Sequence, residues 1–204
     1  RCLYNYLIPA NMMAVCALKK AAELINVGYE DTKLESECRS LAFDIDEGIK
    51  THGVYEHHKF GKIYAYEVDG LGNMLFMDDA NSPSLLAAPY IGYCNKSDPI
   101  YKNTRAFILS NENPWYFEGE VAKGVGSPHT GYDKIWHIAL AMQALTSEDR
   151  VEIENCLKMI SASHAGTYLM HESFNKDDAE DFTRPWFAWA NSLFAELLIR
   201  LVEE

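Results

Sequence analysis

Apolar residues recur along most of the chain at the three- and four-residue spacing that places them on one face of an α-helix. This pattern predicts helices over about 11–25, 31–52 and 133–145. The second of these helices shows the pattern most fully, as one apolar stripe formed by Leu34, Cys38, Leu41, Ile45 and Ile49. The hydrophobic pattern therefore predicts a mainly α fold.

Two more helices are predicted towards the C-terminus. Ser147 is typical of an N-cap, and the acidic residues Glu148 and Asp149 suit the first turn of the helix that follows it. The last helix is predicted to begin near Pro185, because proline is favoured at the first helical position. Its predicted buried face consists of Trp186, Trp189, Ala190, Leu193, Phe194, Leu197 and Leu201.

One segment departs from the helical spacing. Residues 63–68 alternate between two faces, glycines at positions 70 and 72 then mark turns, and an apolar run resumes at 74–76. This alternation predicts one β-hairpin within residues 63–76. Helix pairs joined by loops, with this hairpin between them, favour a toroid of helices. Residues 1–204 are expected to form a single piece of it.

Composition and charge exclude several classes of partner. The chain of 204 residues has 18 Lys and Arg against 30 Asp and Glu, a net charge of −12. Binding to nucleic acid or to an anionic membrane surface is not expected, because both depend on basic side chains. No apolar run reaches the roughly 18 residues of a membrane helix. The five cysteines form no C-x-x-C pair, which predicts free thiols and a reducing, cytoplasmic compartment.

The polar residues of interest cluster in the loops between the predicted helices, where rigid scaffolds commonly carry chemistry. Carboxylate, amide, imidazole and guanidinium groups suit the hydroxyls of a sugar, and a tryptophan face suits the apolar side of its ring. The candidate residues on this interpretation are Asp78, Asp79, Asn81, Glu118, His129, His171, Glu172 and Arg184.

Each candidate also has a purely structural interpretation. Asp79 or Asn81 is equally suited to cap a helix starting at Ser82, because Asp and Asn are strong caps. Glu172 lies in no helical stripe, so the alternative for this residue is a solvated loop acid. Sequence alone does not decide between these interpretations.

The same ambiguity holds for the remaining candidates. His129 and His171 are also interpretable as structural histidines, and Arg184 as the ion-pair partner of Asp178 or Asp181. The helical spacing of the two tryptophans in the last predicted helix favours the core over a sugar platform.

Motifs of other enzyme classes are missing. There is no H-E-x-x-H, and His57 and His58 are adjacent rather than four residues apart, so no catalytic metal is expected. No G-x-S-x-G elbow is present, which disfavours a serine hydrolase. The Gly124-Val125-Gly126 segment lacks a third glycine at the dinucleotide-binding spacing, so nucleotide binding is not supported.

Five segments in order along the chain closely resemble glycoside hydrolase family 125: 6–12 (YLIPANM), 78–86 (DDANSPSLL), 126–131 (GSPHTG), 170–174 (MHESF) and 183–191 (TRPWFAWAN). The resemblance implies a metal-independent, exo-acting α-mannosidase, mostly α-1,6-specific, with an (α/α)6 barrel and inversion of anomeric configuration. It implies no cofactor and an α-mannoside oligosaccharide as substrate.

The resemblance also implies roles for individual residues. Glu172 is the expected general base, and Asp78-Asp79 match the family's sugar-binding loop. The family's general acid is an Asp in a Ser-Asp-Asp motif just before the segment matched by residues 6–12. This sequence begins at Arg1, immediately after the place of that motif, so the acid is expected to lie outside it.

Length leads to the same expectation, because an (α/α)6 barrel needs about twelve helices, roughly twice what 204 residues supply. The chain is therefore expected to be the C-terminal half of the catalytic domain, with the N-terminal half as its partner. Two hypotheses remain open. One is a half-enzyme active only with its N-terminal half, and the other is a non-catalytic mannose-binding or structural fragment.

Overall fold

The structure, a computed structural model, describes residues 2–203. Six helices lie in this range: α1 (Ile8–Tyr29), α2 (Thr32–His52), α3 (Pro99–Ile108), α4 (His137–Leu145), α5 (Arg150–Ala162) and α6 (Ala188–Glu203). Ten short strands accompany them: β1 (Tyr6–Leu7), β2 (Val54–His57), β3 (Gly61–Tyr64), β4 (Glu67–Val68), β5 (Met74–Leu75), β6 (Tyr116–Glu118), β7 (Lys123–Val125), β8 (Lys134–Ile135), β9 (Ser173–Asn175) and β10 (Phe182–Thr183). The predicted mainly α fold is confirmed.

The chain divides into two compact units. The first runs to Phe76 and includes Ala88–Thr104, and the second combines Met77–Ala87 with the residues from Arg105 onwards. Compact units of this size also occur within one catalytic domain, so the expectation of a single piece stays a prediction.

A pair of long helices, α1 and α2, packs together in the first unit. Asp31 caps α2 by accepting a hydrogen bond from the Leu34 backbone N–H at 3.0 Å, and α2 begins within one residue of the predicted position. The predicted apolar stripe of α2 is only partly buried: Ile49 is 3% exposed, whereas Leu34 is 43% and Leu41 50% exposed. The start of α2 therefore presents an uncovered apolar face among the described residues.

Strands are more numerous than the single predicted hairpin. Strands β4 and β5 pair antiparallel within the predicted region, and β1 joins them through Tyr6 opposite Val68. Strand β3 instead pairs antiparallel with β2, the strand that precedes it in the chain. The sequence pattern predicted no strand at the position of β2. The prediction of one hairpin was wrong in number, because tertiary pairing recruits two- to four-residue segments that are too short to show a period.

The second unit is built around α4, in which every residue except Gln143 is buried. A helix that is apolar on all sides belongs in a core, and α4 packs against both α5 and α6. Next to it lies a three-stranded sheet of order β10-β9-β8, with β6 and β7 forming a separate hairpin.

Four predicted helix starts need correction. Helix α1 begins at Ile8 rather than near residue 11 and includes Pro9 in its first turn. Helix α4 begins at His137 rather than 133, because Lys134 and Ile135 pair with β9. Helix α5 is capped by Asp149 rather than Ser147, since the Asp149 carboxylate accepts from the Val151 N–H. Helix α6 begins at Ala188 rather than near Pro185.

The predicted buried face of α6 also needs correction. Ala190, Leu193 and Leu197 are buried as expected. Trp186 and Trp189 are 63% and 60% exposed, so the helical spacing of the two tryptophans was misleading. A spacing argument applies only to residues inside the helix and on a face that another element covers.

Within residues 2–203, none of the helices combines the length and the hydropathy that crossing a bilayer requires.

The close approach at Gly126 gives a stability prediction. A Cβ at this position would overlap the Lys134 carbonyl oxygen and the Phe117 ring, whereas nothing lies within 4 Å of a Cβ at Gly48 in α2. We expect Gly126→Ala to lower the free energy of unfolding by about 1–3 kcal/mol or more. Gly48→Ala, the control, raises it by roughly 0.5–1 kcal/mol because glycine is a poor helix former. Urea unfolding measures both, and an unchanged midpoint for Gly126→Ala would contradict the packing at this position.

Candidate functional site

The β9–β10 pairing brings the central candidates together in the second unit. Ser173 lies opposite Thr183 in this antiparallel pair, and the Glu172 backbone N–H donates to the Thr183 carbonyl oxygen at 3.2 Å. Glu172 immediately precedes β9, and Arg184 immediately follows β10. The register of two short strands thus places a carboxylate beside a guanidinium that is twelve residues away along the chain.

Glu172 is 5% exposed, and its two carboxylate oxygens have different partners. The Thr183 hydroxyl donates to Oε2 at 3.1 Å. The Arg184 Nε lies 3.4 Å and the His129 Nε2 3.7 Å from Oε1. A buried carboxylate requires such partners, because an unpaired charge is costly to remove from water. The guanidinium supplies the opposite charge for Glu172 at the mouth of a cavity.

This cavity has a volume of about 390 Å³, within the range of small-molecule sites. It is an open cleft whose walls combine polar groups with aromatic and aliphatic surface. The residues that line it are Asn81, His129, Trp136, Glu172, Arg184, Phe187, Ala188 and Trp189. Of the predicted candidates, Asn81, His129, Glu172 and Arg184 therefore meet in one place.

Two loops deliver the imidazole of His129 and the amide of Asn81. His129 lies in a turn held by its own backbone N–H, which donates to the buried Ser127 Oγ at 3.1 Å. The loop that carries Asn81 is tied to this turn, because the Ala80 N–H donates to the Gly126 carbonyl oxygen at 2.9 Å. No helix begins at Ser82, so Asn81 caps none and its side chain lines the cavity.

Aromatic side chains form the apolar part of the wall. Trp136 is fully buried, and its indole N–H donates to the Thr130 hydroxyl at 2.8 Å. Phe187 packs edge-on against Trp136, and Trp189 lies against Phe187 with an exposed ring. An exposed tryptophan on a cavity wall fits the alternative of a sugar platform better than the core role that its spacing favoured.

Two buried histidines hold the backbone around Glu172. Burial lowers the pKa of His137 to about 3, so its imidazole is neutral. The His137 Nδ1 accepts the His171 backbone N–H at 3.1 Å, and Nε2 lies 2.9 Å from the Ser163 Oγ. His171 in turn donates from Nδ1 to the Pro185 carbonyl oxygen at 2.8 Å. The segments on both sides of the Glu172–Arg184 contact are fixed in this way.

The structure places the His171 side chain away from the cavity. Its side chain is completely buried, and its ring stacks on Phe182 at a centroid distance of 3.9 Å. It is not among the residues that line the cavity. This position matches the structural interpretation of His171, which lies behind the cavity wall, and its role in substrate binding stays an untested prediction.

Asp78 also lies outside the residues that line the cavity. Its carboxylate is fully buried and accepts the backbone N–H groups of Leu85 and Leu86 at 2.9 and 3.0 Å. It therefore closes the loop that carries Asn81 and does not face the cavity. Asp79 is half-buried beside Ser127 and His129, and burial raises the pKa of its carboxyl. Asp79 thus supports the His129 turn from outside the lining residues.

Glu118 lies outside the cavity altogether. It is exposed on β6, opposite Lys123 in the β6–β7 hairpin, and its carboxylate interacts with the Tyr116 hydroxyl. Arg184 pairs with Glu172 rather than with Asp178 or Asp181, and Asp181 is paired with Lys134. The Arg184 side chain also lies over the Phe187 ring.

Sequence reasoning missed three contributors to the site. Thr183 and His137 act through hydrogen bonds whose partners are distant in sequence, so no local pattern marks them. Trp136 follows β8 directly, and no local sequence pattern marks it as part of the site. Thr183 does lie within the TRPWFAWAN segment that carries the family resemblance, which is the one signal that was available.

The described part of the chain contains no group of three or more His, Cys, Asp or Glu side chains placed to hold a metal ion. All five cysteines are free thiols, as their spacing predicted. The polar groups that line the cavity are a carboxylate, a guanidinium, an imidazole and an amide.

A second cavity, of about 510 Å³, lies in the first unit between α1, α2 and the β4–β5 turn. Its walls are largely apolar. The carboxylate of Asp69, one of its few acids, already accepts hydrogen bonds from the backbone N–H groups of Leu71 and Asn73. Although it is larger, it gathers no arrangement of reactive groups like that around Glu172.

Comparison with known proteins identifies a family. The model of the metal-independent α-mannosidases (GH125) matches residues 1–199. The chain is 49% identical to the Meiotically up-regulated gene 157 protein of Schizosaccharomyces pombe, over 99% of its own length and 40% of that protein. A Streptococcus pneumoniae structure from a study of metal-independent α-mannosidases, a non-productive complex with α-1,6-mannobiose, superimposes with a TM-score of 0.96 at 46% identity. It matches 99% of this chain and 48% of that chain. The chain thus spans less than half the length of either relative.

The buried Asp78 gives a pH prediction. Desolvation raises the pKa of this carboxyl to about 7, against roughly 4 in an unfolded chain. The folded state therefore holds a proton that the unfolded state releases between pH 4 and 7, so the contribution of Asp78 to stability falls as the pH rises through this window. Asn cannot titrate. The free energy of unfolding of the wild type minus that of Asp78→Asn should decline from pH 4 to 7 and then level off in urea titrations. A difference that grows with pH would contradict this environment for Asp78.

Proposed function

This chain belongs to the metal-independent α-mannosidases of family GH125, and from that premise we propose that it carries the general base of an inverting, exo-acting α-1,6-mannosidase. Glu172 is the proposed base, and the mannose unit occupies the cavity beside it. The observation that carries the proposal is the pairing of this buried carboxylate with Arg184 and His129 at an open cleft of monosaccharide scale.

The chemistry requires two carboxyl groups. In an inverting hydrolysis one carboxylate removes a proton from water as the water oxygen bonds to the anomeric carbon. The glycosidic C–O bond breaks at the same time, and a carboxylic acid gives its proton to the departing oxygen. The acid and the base lie about 6.5–9.5 Å apart, which leaves room for the water. Glu172, buried beside a guanidinium and facing the cleft, suits the base.

The remaining wall suits sugar recognition. Asn81 offers both a donor and an acceptor, and Arg184 and His129 offer donors to hydroxyl oxygens. The exposed ring of Trp189 provides a flat apolar face for the C–H side of a pyranose. Specificity for the α-1,6 linkage is proposed from the family and from the mannobiose bound by the Streptococcus pneumoniae relative.

The proposed general acid lies outside these 204 residues. The family resemblance implies an Asp just before the segment matched by residues 6–12, and the relatives are more than twice as long as the matched region. We therefore propose that the chain works with an N-terminal half that supplies this acid and the rest of the barrel wall. The reaction needs no metal, as the family description states. The free thiols support a cytoplasmic location.

A non-catalytic, mannose-binding role is the second candidate. It is favoured by one observation: Glu172 is the sole carboxylate among the residues that line the described cavity, and one carboxylate does not complete the reaction. Binding of mannose without turnover in the complete protein would select this alternative.

The first test is loss of activity in Glu172→Gln, in the protein encoded by the full open reading frame that contains the chain. The amide cannot accept the proton from water, so release of mannose from α-1,6-mannobiose should fall by at least roughly 10²–10⁴-fold. An aryl mannoside with a good leaving group should suffer equally, because water activation is needed whatever the leaving group. Glu118→Gln is the matched control and should keep wild-type activity. Full activity of Glu172→Gln would reject Glu172 as the base.

The second test concerns stereochemistry and the missing acid. NMR should detect β-mannose as the first product of the complete protein, because one displacement inverts the anomeric carbon. The 204-residue chain alone should be slower by roughly 10²–10⁴-fold for want of the acid. α-Mannose as the first product would mean retention, and Glu172 would then be a nucleophile. Rapid turnover by the chain alone would mean that another carboxylate, Asp79 first, serves as the acid.

A further inference from the structure

A chain of two hydroxyl groups leads from the β9–β10 pair to Glu172. The Ser173 Oγ lies 2.8 Å from the Thr183 Oγ1, and the Thr183 Oγ1 lies 3.1 Å from the Glu172 Oε2. Ser173 is completely buried and Glu172 nearly so. The Ser173–Thr183 contact follows from the strand register, because these two residues are direct cross-strand partners.

The chemistry of the three groups fixes the direction of both bonds. An ionised carboxylate only accepts, so the Thr183 hydroxyl donates to Glu172. A hydroxyl has one proton, so Thr183 accepts from Ser173 in turn. One oxygen of Glu172 is thereby occupied by the partly buried Thr183 hydroxyl, whereas Oε1 faces Arg184 and His129 at the cavity.

We propose that Thr183 is a positioning residue for the reaction: its hydroxyl, itself oriented by Ser173, holds Oε2 of Glu172 and thereby presents Oε1 to the attacking water. This inference rests on the proposed function, since it concerns the same carboxylate. Threonine is suited to the task, because its branched side chain has few rotamers and fits a strand. Neither Ser173 nor Thr183 is among the residues lining the cavity, so both act through Glu172.

The partners of Glu172 are of two kinds, which differ in their exposure to solvent. Arg184 and His129 have largely exposed side chains at the cleft. Thr183 is anchored in a strand and pairs from behind, so it fixes the orientation of the carboxylate plane before substrate arrives. Placement of a reacting atom within a fraction of an ångström is worth on the order of 100-fold in rate.

The test compares Thr183→Val and Thr183→Ser in the complete, mannoside-hydrolysing protein. Valine keeps the shape of threonine and removes the hydroxyl, whereas serine keeps the hydroxyl. We expect Thr183→Val to lower kcat on α-1,6-mannobiose roughly 10–100-fold. Its KM should stay nearly unchanged, because Thr183 lies outside the cavity wall. Thr183→Ser should recover most of the loss.

Thr146→Val is the matched control. Thr146 is buried, and its hydroxyl donates to the Met142 carbonyl oxygen at the end of α4, with no contact to Glu172. It should lower the melting temperature and leave kcat unchanged. If Thr183→Val behaves like this control, or if serine is as impaired as valine, the hydroxyl has no positioning role and the proposal is overturned.

Two further measurements keep the test decisive. If Thr183→Val does not fold, Ser173→Ala replaces it: removal of the donor that orients Thr183 should lower kcat with KM unchanged, and an unaltered kcat would overturn the proposal. If the wild type hydrolyses no mannoside, the proposed function fails, and crystal structures then decide the inference separately. The Glu172 carboxylate should keep its orientation in Thr183→Ser and rotate in Thr183→Val, and an identical orientation in both would overturn it.

Discussion

The antiparallel pairing of β9 with β10 is the constraint on which the site depends. It sets Ser173 opposite Thr183 and so places Glu172, Thr183 and Arg184 within contact distance. The pair is only a few residues long, and it is held on its other side by β8, which carries the chain into Trp136 and the buried helix α4. A slip of one residue would turn every side chain of the pair to the opposite face and separate the carboxylate from its cation.

Buried polar groups make this short sheet rigid. The neutral His137 accepts the His171 N–H, His171 donates to the Pro185 carbonyl, and Asp78 closes the Asn81 loop through two backbone N–H groups. Each bond satisfies a group that would be costly to leave unpaired in the core. These residues carry ionisable side chains of the kind that sugar sites use, yet their work is to hold loops in place. The polar side chains of Asn81, His129 and Arg184, which line the cavity, are less buried than those of His137, His171 and Asp78.

Glu172 is the exception, because it is both buried and facing the cavity. Its charge is tolerated since a hydroxyl and a guanidinium divide its two oxygens between them. One carboxylate oxygen, Oε2, is therefore held by the Thr183 hydroxyl, and the other, Oε1, faces the cavity. The proposed role as a base requires both, because the carboxylate has to keep a fixed place while a water molecule and a sugar come and go.

The sequence by itself determined the helical class, the extent of α2 and the family, since these depend on local spacing or on contiguous motifs. It also named Glu172 and three of its neighbours in the cavity through those motifs. Only the tertiary structure decided which polar residues face the cavity and which support it from behind. His171 and Asp78 have the same kinds of side chain as the residues that line the cavity, and burial is a property of what packs around a residue rather than of its neighbours in sequence. The same reason explains the exposed tryptophans and the many short strands.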